Sequence, residues 1–259
     1  MVRSILRTVG VYLFLQLSFG FVFVYMEHLP ASSWIIFFVP SLLIHTGLGF
    51  FLIGFRKAFT IIPSGETLHH INIANKITLL RISSLPTIAF LLVYNETIEL
   101  RVVLPVLLIM LFMTDSFDGQ VARRMKQITR MGQMLDSISD YSLLAVISIV
   151  YYINHIVPRW MFYIIFFRLL LQALGMFVFI LLHKPLPVSS TWGGKITIAT
   201  IMTLYVLEMI RLFTPHNLDA LFIALEYMSG LIILLLSFEK ARIFFRQGRH
   251  VSRERKDQD

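Results

Sequence analysis

Residues 115–140 read DSFDGQVARRMKQITRMGQMLDSISD and carry four aspartates in two pairs. Asp115 and Asp118 are three apart and share a helical face with Ala122, while Asp136 and Asp140 are four apart on another. Gly119, Ala122 and Gly132 stand beside these pairs with almost no side chain, which lets a bulky anionic ligand approach the backbone. Four carboxylates converging on one place repel one another unless cations offset them. Hard divalent ions answer that need: Mg²⁺ takes oxygen ligands and bridges carboxylates to phosphate oxygens, and a pair of such ions clamps both attacking and leaving oxygens. The carboxylates thus imply a phosphate-bearing substrate, and the small residues suit a nucleotide diphosphate. The competing reading, aspartates as helix caps, accounts for two of them but not for four at these spacings, interleaved with glycines.

The same window resembles the CDP-alcohol phosphotransferases. Their motif runs Asp, two residues, Asp-Gly, two residues, Ala-Arg, eight, Gly, three, Asp, three, Asp. Asp115, Asp118, Gly119, Ala122, Arg123, Gly132, Asp136 and Asp140 meet every fixed position. Asn75-Lys76-Ile77-Thr78-Leu79-Leu80-Arg81 with Pro86 is similar to the family's first core helix, and Gly194-Lys195 with Thr197 to the stretch that opens its fifth. The resemblance covers about residues 76–239 as six core helices.

The resemblance implies that Asp115, Asp118 and Asp136 hold two divalent ions, Mg²⁺ or Mn²⁺, on the donor diphosphate. Asp140 would complete the metal site and act as general base on the acceptor hydroxyl. Gly119, Ala122, Gly132, Asn75 and Thr78 would line the CDP site, and Arg123 would meet phosphate, to which its fork is suited. Arg81, inside a span, would reach the same cavity and contact phosphate or an acidic partner. The implied reaction moves a substituted phosphate from a CDP-linked donor to an alcohol and releases CMP. CDP-diacylglycerol is the expected donor and glycerol 3-phosphate the expected acceptor. Inositol phosphate, serine, another alcohol, or a CDP-alcohol paired with diacylglycerol are the alternatives. Lys195 and Arg168 are candidates for acceptor binding. Members that use glycerol phosphate often carry Arg-Glu where this chain has Arg168-Leu169, so the alternative for Arg168 is a buried pair with Glu208 or Glu226. Family members are often homodimers.

The elements that must position these residues are transmembrane helices. The 259 residues are 57% hydrophobic with 23 phenylalanines and a mean hydropathy of +0.76. That leaves too little polar surface to cover a soluble core, so lipid must do the covering. A span needs about 20 mostly apolar residues, and eight runs qualify, at roughly 5–25, 34–55, 76–95, 101–115, 141–157, 159–183, 195–213 and 219–239. The fourth and fifth are short and would extend as helix into the polar stretch 115–140. The expected fold is an all-α integral membrane protein: residues 1–75 add two helices and a linker before the six-helix core of 76–239, and 240–259 form a basic, solvated tail.

Charge sets the orientation. With both termini cytoplasmic, Arg3, Arg7, Arg56, Lys57, Lys76, Arg123, Arg124, Lys126, Arg130, Lys184, Lys195 and the tail bases fall inside, against Arg101, Arg159 and Arg211 outside. The active site then faces the cytoplasm. The net charge of +8 is spread over short loops and a tail, which points to anionic lipid headgroups as partner and not to nucleic acid. The absence of cysteine excludes disulfides, thiolate metal sites and cysteine nucleophiles. A cleaved signal peptide is the rival reading of the first run, but that run is longer than a signal's apolar stretch and lacks a small-residue cleavage site. Asn95-Glu96-Thr97 matches a glycosylation acceptor and is taken as chance. His45, His69, His70 and His155 have no ligand spacing and read as interfacial or packing residues. Two further classes compete with the enzyme, an ion-coupled transporter and a membrane scaffold, and neither requires the fixed Gly-x-x-Ala-Arg between the acidic pairs.

Overall fold

In the computed structural model the described chain excludes residues 63, 95–102, 182–191, 213–217 and 257–259, together with the side chains of 103, 115–118, 176–181 and 243–256. The glycosylation tripeptide, Arg101 and Lys184 therefore lie outside the described residues. Nine helices follow in order among those described: α1 Val2–Met26, α2 Ser32–Gly54, α3 Ile73–Ser83, α4 Leu85–Val93, α5 Val103–Arg124, α6 Arg130–Ile153, α7 Arg159–Leu181, α8 Trp192–Arg211 and α9 Asp219–Lys256. Among the described residues, seven stretches are long and apolar enough to cross a membrane, namely Val2–Met26, Ser32–Gly54, Ile73–Val93, Leu104–Arg124, Arg130–Ile153, Trp192–Arg211 and Asp219–Arg242. The protein is a multi-pass, all-helical membrane protein. Its apolar side chains confirm the solvent: Phe14 and Phe50 are 69% and 74% exposed, which only lipid makes tolerable on this scale.

Two details refine these elements. The third run is one candidate span, Ile73–Val93, whose helix is interrupted at Ser84 and resumes as α4, where Pro86 enters without an N–H to donate. The basic segment after Lys240 is helical: α9 continues to Lys256, since the basic and acidic residues there are good helix formers and no proline interrupts them. As expected, helix runs on into the motif from both sides, to Arg124 in α5 and from Arg130 in α6.

The chain divides into two compact units, residues 1–150 and 151–259. In the first, α1 and α2 pack as an antiparallel-connected pair joined by a short turn in which His28 takes a positive φ. Gly20 permits the close approach, because a Cβ there would fall within the Phe37 ring. Val24, Phe37 and Phe90 form a buried cluster with Phe23, Trp34, Phe38 and Tyr94 packed around it, so α4 is held against the pair by aromatic edges. Ser33 Oγ and Tyr94 OH add a hydrogen bond of 2.7 Å. In the second unit α9 packs on α7 and α8. Trp160 stacks on Tyr227 beside Gly230, and Tyr151 OH donates to the Tyr205 carbonyl at 2.9 Å.

Gly20→Val should destabilise the first unit by about 1–3 kcal/mol through overpacking against Phe37. Thermal unfolding in detergent is the measurement, and the paired change Phe37→Ala should return part of the loss.

Candidate active site

The site is built on a turn. α5 ends in a Schellman arrangement: the Gln127 N–H bonds the Ala122 carbonyl at 3.0 Å, the Lys126 N–H bonds the Arg123 carbonyl at 3.2 Å, and Lys126 adopts a φ of 53°. α6 begins at Arg130, with Thr129 as its cap. The Thr129 hydroxyl oxygen accepts the Gly132 N–H at 2.9 Å, the geometry expected of a threonine that precedes a helix. The chain between α2 and α3 clamps this turn from outside. The Ile62 N–H donates to the Ile128 carbonyl at 2.9 Å, and the Arg130 N–H donates to the Thr60 carbonyl at 3.1 Å.

α3 is fastened to the same turn. Asn72 caps it by accepting the Asn75 N–H at 3.1 Å, and its amide donates to the Gln127 carbonyl at 3.0 Å. One turn on, the Asn75 amide donates to Thr129 Oγ1 at 3.1 Å. Gly132 is the residue that makes room: a Cβ there would stand 2.6 Å from Asn75 Oδ1 and 3.0 Å from Thr129 Oγ1. The glycine's closest neighbours are thus protein atoms of α3 and of its own cap.

Asp136 and Asp140 follow one and two turns deeper on α6 and face α3. Arg81 meets them there: its Nη2 lies 3.1 Å from Asp140 Oδ1 and 3.7 Å from Asp136 Oδ1, and its Nε donates to Ser139 Oγ at 2.6 Å. The three side chains differ in access, 3% exposed for Arg81, 12% for Asp140 and 51% for Asp136. The open carboxylate suits a ligand arriving from outside, and the buried one suits a group fixed in orientation. A guanidinium buried this deeply is tolerable only against acids and a hydroxyl, since an uncompensated charge there costs several kcal/mol. Both acids lie in the interior of α6, well past its cap, which rules out the capping alternative for them; Asp115 and Asp118 likewise sit within α5 and not at its end.

Other expected site residues are placed as follows. Arg123 is exposed and folds back over Gly119, whose Cβ position would be 3.5 Å from Arg123 Nη1. Ala122 is half-buried on the same helix, and Thr78 is buried with its hydroxyl donating to the Ala74 carbonyl at 3.2 Å. The Asp115 and Asp118 side chains lie outside the described residues, and among those described no three acidic, histidine or cysteine side chains converge as a metal site. Lys195 and Arg168 belong to the second unit, where Lys195 is exposed at 5.7 Å from the Trp192 ring and Arg168 is buried. Glu208 and Glu226, offered by the sequence as partners for Arg168, are held by Arg211 at 3.4 and 2.6 Å, with Asp219 at 3.3 Å. Sequence reasoning missed Ser139, Thr129 and Asn72. Thr129 and Asn72 carried a signal, a capping residue before an amphipathic run; Ser139 carried none beyond lying one residue before Asp140.

A family description, CDP-alcohol phosphatidyltransferase, matches residues 71–236. The chain belongs to this family. The matched region contains α3 through the first half of α9 and every residue of the Arg81 cluster. Family membership makes the protein a CDP-alcohol phosphotransferase, an enzyme of phospholipid biosynthesis, and sets aside the transporter and scaffold readings. Among curated relatives, the chain is 25% identical over 166 residues to the "CDP-diacylglycerol--glycerol-3-phosphate 3-phosphatidyltransferase" of Aquifex aeolicus, covering 63% of this chain and 90% of that one. It is 33% identical over 78 residues to proteins of the same name from Rickettsia bellii and Rickettsia typhi, covering 30% of this chain and 42% and 43% of theirs.

If Gly132 serves the packing of α3 on α6, Gly132→Ala should lower the thermal stability of the phosphotransferase, and Asn75→Ala should relieve much of that cost. A double-mutant cycle reads this as a coupling of about 1 kcal/mol or more between the two positions, whereas independent effects would add.

Proposed function

We propose that this enzyme transfers a phosphatidyl group from CDP-diacylglycerol to glycerol 3-phosphate and releases CMP, at a site that opens on the cytoplasmic face of an eight-span protein. The observation that carries the reading is the Asp136–Arg81–Asp140 cluster, one open and one buried carboxylate on a single face of α6 at the motif spacing. The activity for which the relatives are named supports this donor and acceptor.

The residues fit divalent ions by the chemistry of their donors. Asp136 and Asp140 offer hard oxygen ligands one turn apart, and Asp115 and Asp118 stand three apart on α5, whose end the Thr129 turn ties to the start of α6. Asp115, Asp118, Asp136 and Asp140 would hold two Mg²⁺ or Mn²⁺ ions, which when bound would neutralise the diphosphate and the departing CMP. The rest of the step falls to the chain. Asp140, held in orientation by Arg81, accepts the proton of the acceptor hydroxyl as that oxygen bonds to the phosphatidyl phosphorus and the bond from phosphorus to CMP breaks. No covalent enzyme intermediate is required. Arg123, exposed above Gly119, would meet a phosphate, to which its fork is suited. Gly119 and Ala122 leave the α5 backbone open to the nucleotide.

Protein reconstituted with CDP-diacylglycerol should release CMP in a divalent-metal-dependent manner, fastest with glycerol 3-phosphate in a panel that includes inositol phosphate and serine. Asp140→Asn should lower the rate by about 10³ and Arg81→Ala by about 10² with the protein still folded. Release that depends on neither metal nor these aspartates would overturn the mechanism; preference for another alcohol would overturn only the acceptor.

Orientation has its own check, made clean by the absence of native cysteine. In intact cells His28→Cys should react with an impermeant thiol reagent, and Glu66→Cys should react only after the membrane is opened. The reverse pattern would place the site on the other face.

A further inference from the structure

α1 and α2 lie before the region that the family description covers, yet they make directed polar bonds to α3 and to the residues flanking α3 and α4. Tyr12 OH donates to the Lys76 carbonyl at 3.0 Å, Ser4 Oγ accepts the Ile71 N–H at 3.1 Å, and Ser33 meets Tyr94. The deepest of these ties is His45 Nε2 to Ser83 Oγ at 2.7 Å, with His45 1% and Ser83 3% exposed. We propose that His45 is a positioning residue for the phosphotransfer site, acting through Ser83 to fix where the end of α3 presents Arg81 to Asp140.

The chemistry of the histidine makes the tie directional. Its Nδ1 faces the Ser41 carbonyl at 2.8 Å, an atom that can only accept, so Nδ1 carries the hydrogen. Neutral imidazole then has a bare Nε2, which accepts the Ser83 hydroxyl proton. Ser41 is itself set by its hydroxyl bond to the Phe37 carbonyl at 2.7 Å, next to Pro40, which lacks an N–H of its own. The result is a relay fixed to the backbone of α2.

The end of α3 has reason to need such a brace. Pro86 cannot donate to the Ile82 carbonyl, so the backbone ladder weakens where α3 passes into α4. Ser84 Oγ bonds the Arg81 carbonyl at 2.8 Å and so joins the turn to Arg81 itself. Apolar packing alone lets a helix end slide or rotate by a fraction of a turn, whereas a hydrogen bond in a water-free interior fixes one setting. Arg81 has little tolerance for such movement, because its Nε and Nη2 meet Ser139 and Asp140 at 2.6 and 3.1 Å.

The proposal rests on the reading of Arg81 and Asp140 as site residues, and the test separates the two. Full-length protein in lipid is assayed for CMP release with CDP-diacylglycerol and glycerol 3-phosphate, together with its thermal unfolding. His45→Phe and Ser83→Ala should each lower kcat/KM by about tenfold, with a rise of about fivefold in donor KM, because a shifted guanidinium misplaces the group it orients. The double variant should be no worse than either single one, and His45→Gln, which keeps a polar atom in reach of Ser83, should recover to within about twofold of wild type. Ser83→Ala carries the test alone should His45→Phe fail to fold. A lower kcat at unchanged donor KM, additive losses, or variants within twofold of wild type would overturn the positioning role. An active Asp140→Asn enzyme would instead overturn the site reading beneath it.

Discussion

A guanidinium buried among apolar helices cannot stand without compensation, and much of the first unit is arranged to supply it. Arg81 is 3% exposed and sits between Asp136, Asp140 and Ser139 of α6. In water such a pair would contribute little; in a membrane interior, removing either side leaves a stranded charge. The helices carrying the two charges must therefore keep their rotation and their height relative to each other. That requirement reaches far from the carboxylates, to the cap at Thr129, the glycine at 132 and the aromatic cluster that seats α4.

Positioning and chemistry share residues here. Thr129 accepts from Gly132 and from Asn75, so a single hydroxyl starts the acidic helix and joins it to α3. Asn72 caps α3 and holds the Gln127 carbonyl of the turn between the two acidic helices. The spacing of eight residues between Arg123 and Gly132 in the motif thus has a mechanical meaning: it is the length of a Schellman end, a clamped turn and a capped start. The strand-like segment at Thr60 and Ile62 closes that turn from the other side, so the N-terminal part of the chain contributes backbone bonds to a site whose side chains come later in sequence.

Much of this was legible in the residue order. Hydropathy located the helices because each span must present some 20 apolar residues to lipid, and no alternative fold satisfies that demand. The two acidic pairs were legible as pairs because helical periodicity is a local property. The interruption at Ser84 before Pro86 and the run of α9 to Lys256 are details that hydropathy does not carry, because one depends on a missing N–H and the other on helix propensity among charged residues.

The sequence by itself determined that this is a helical membrane protein with four motif aspartates in two helical pairs and an arginine inside a span. Only the tertiary structure decided which acids Arg81 would take, that Arg211 would hold Glu208 and Glu226, and that Gly132 and Asn75 would meet each other. Periodicity specifies which residues share a face, because that follows from 3.6 residues per turn. It does not specify how two faces are rotated and raised against one another, which is settled by close packing and by the few polar bonds that the apolar interior leaves no water to replace.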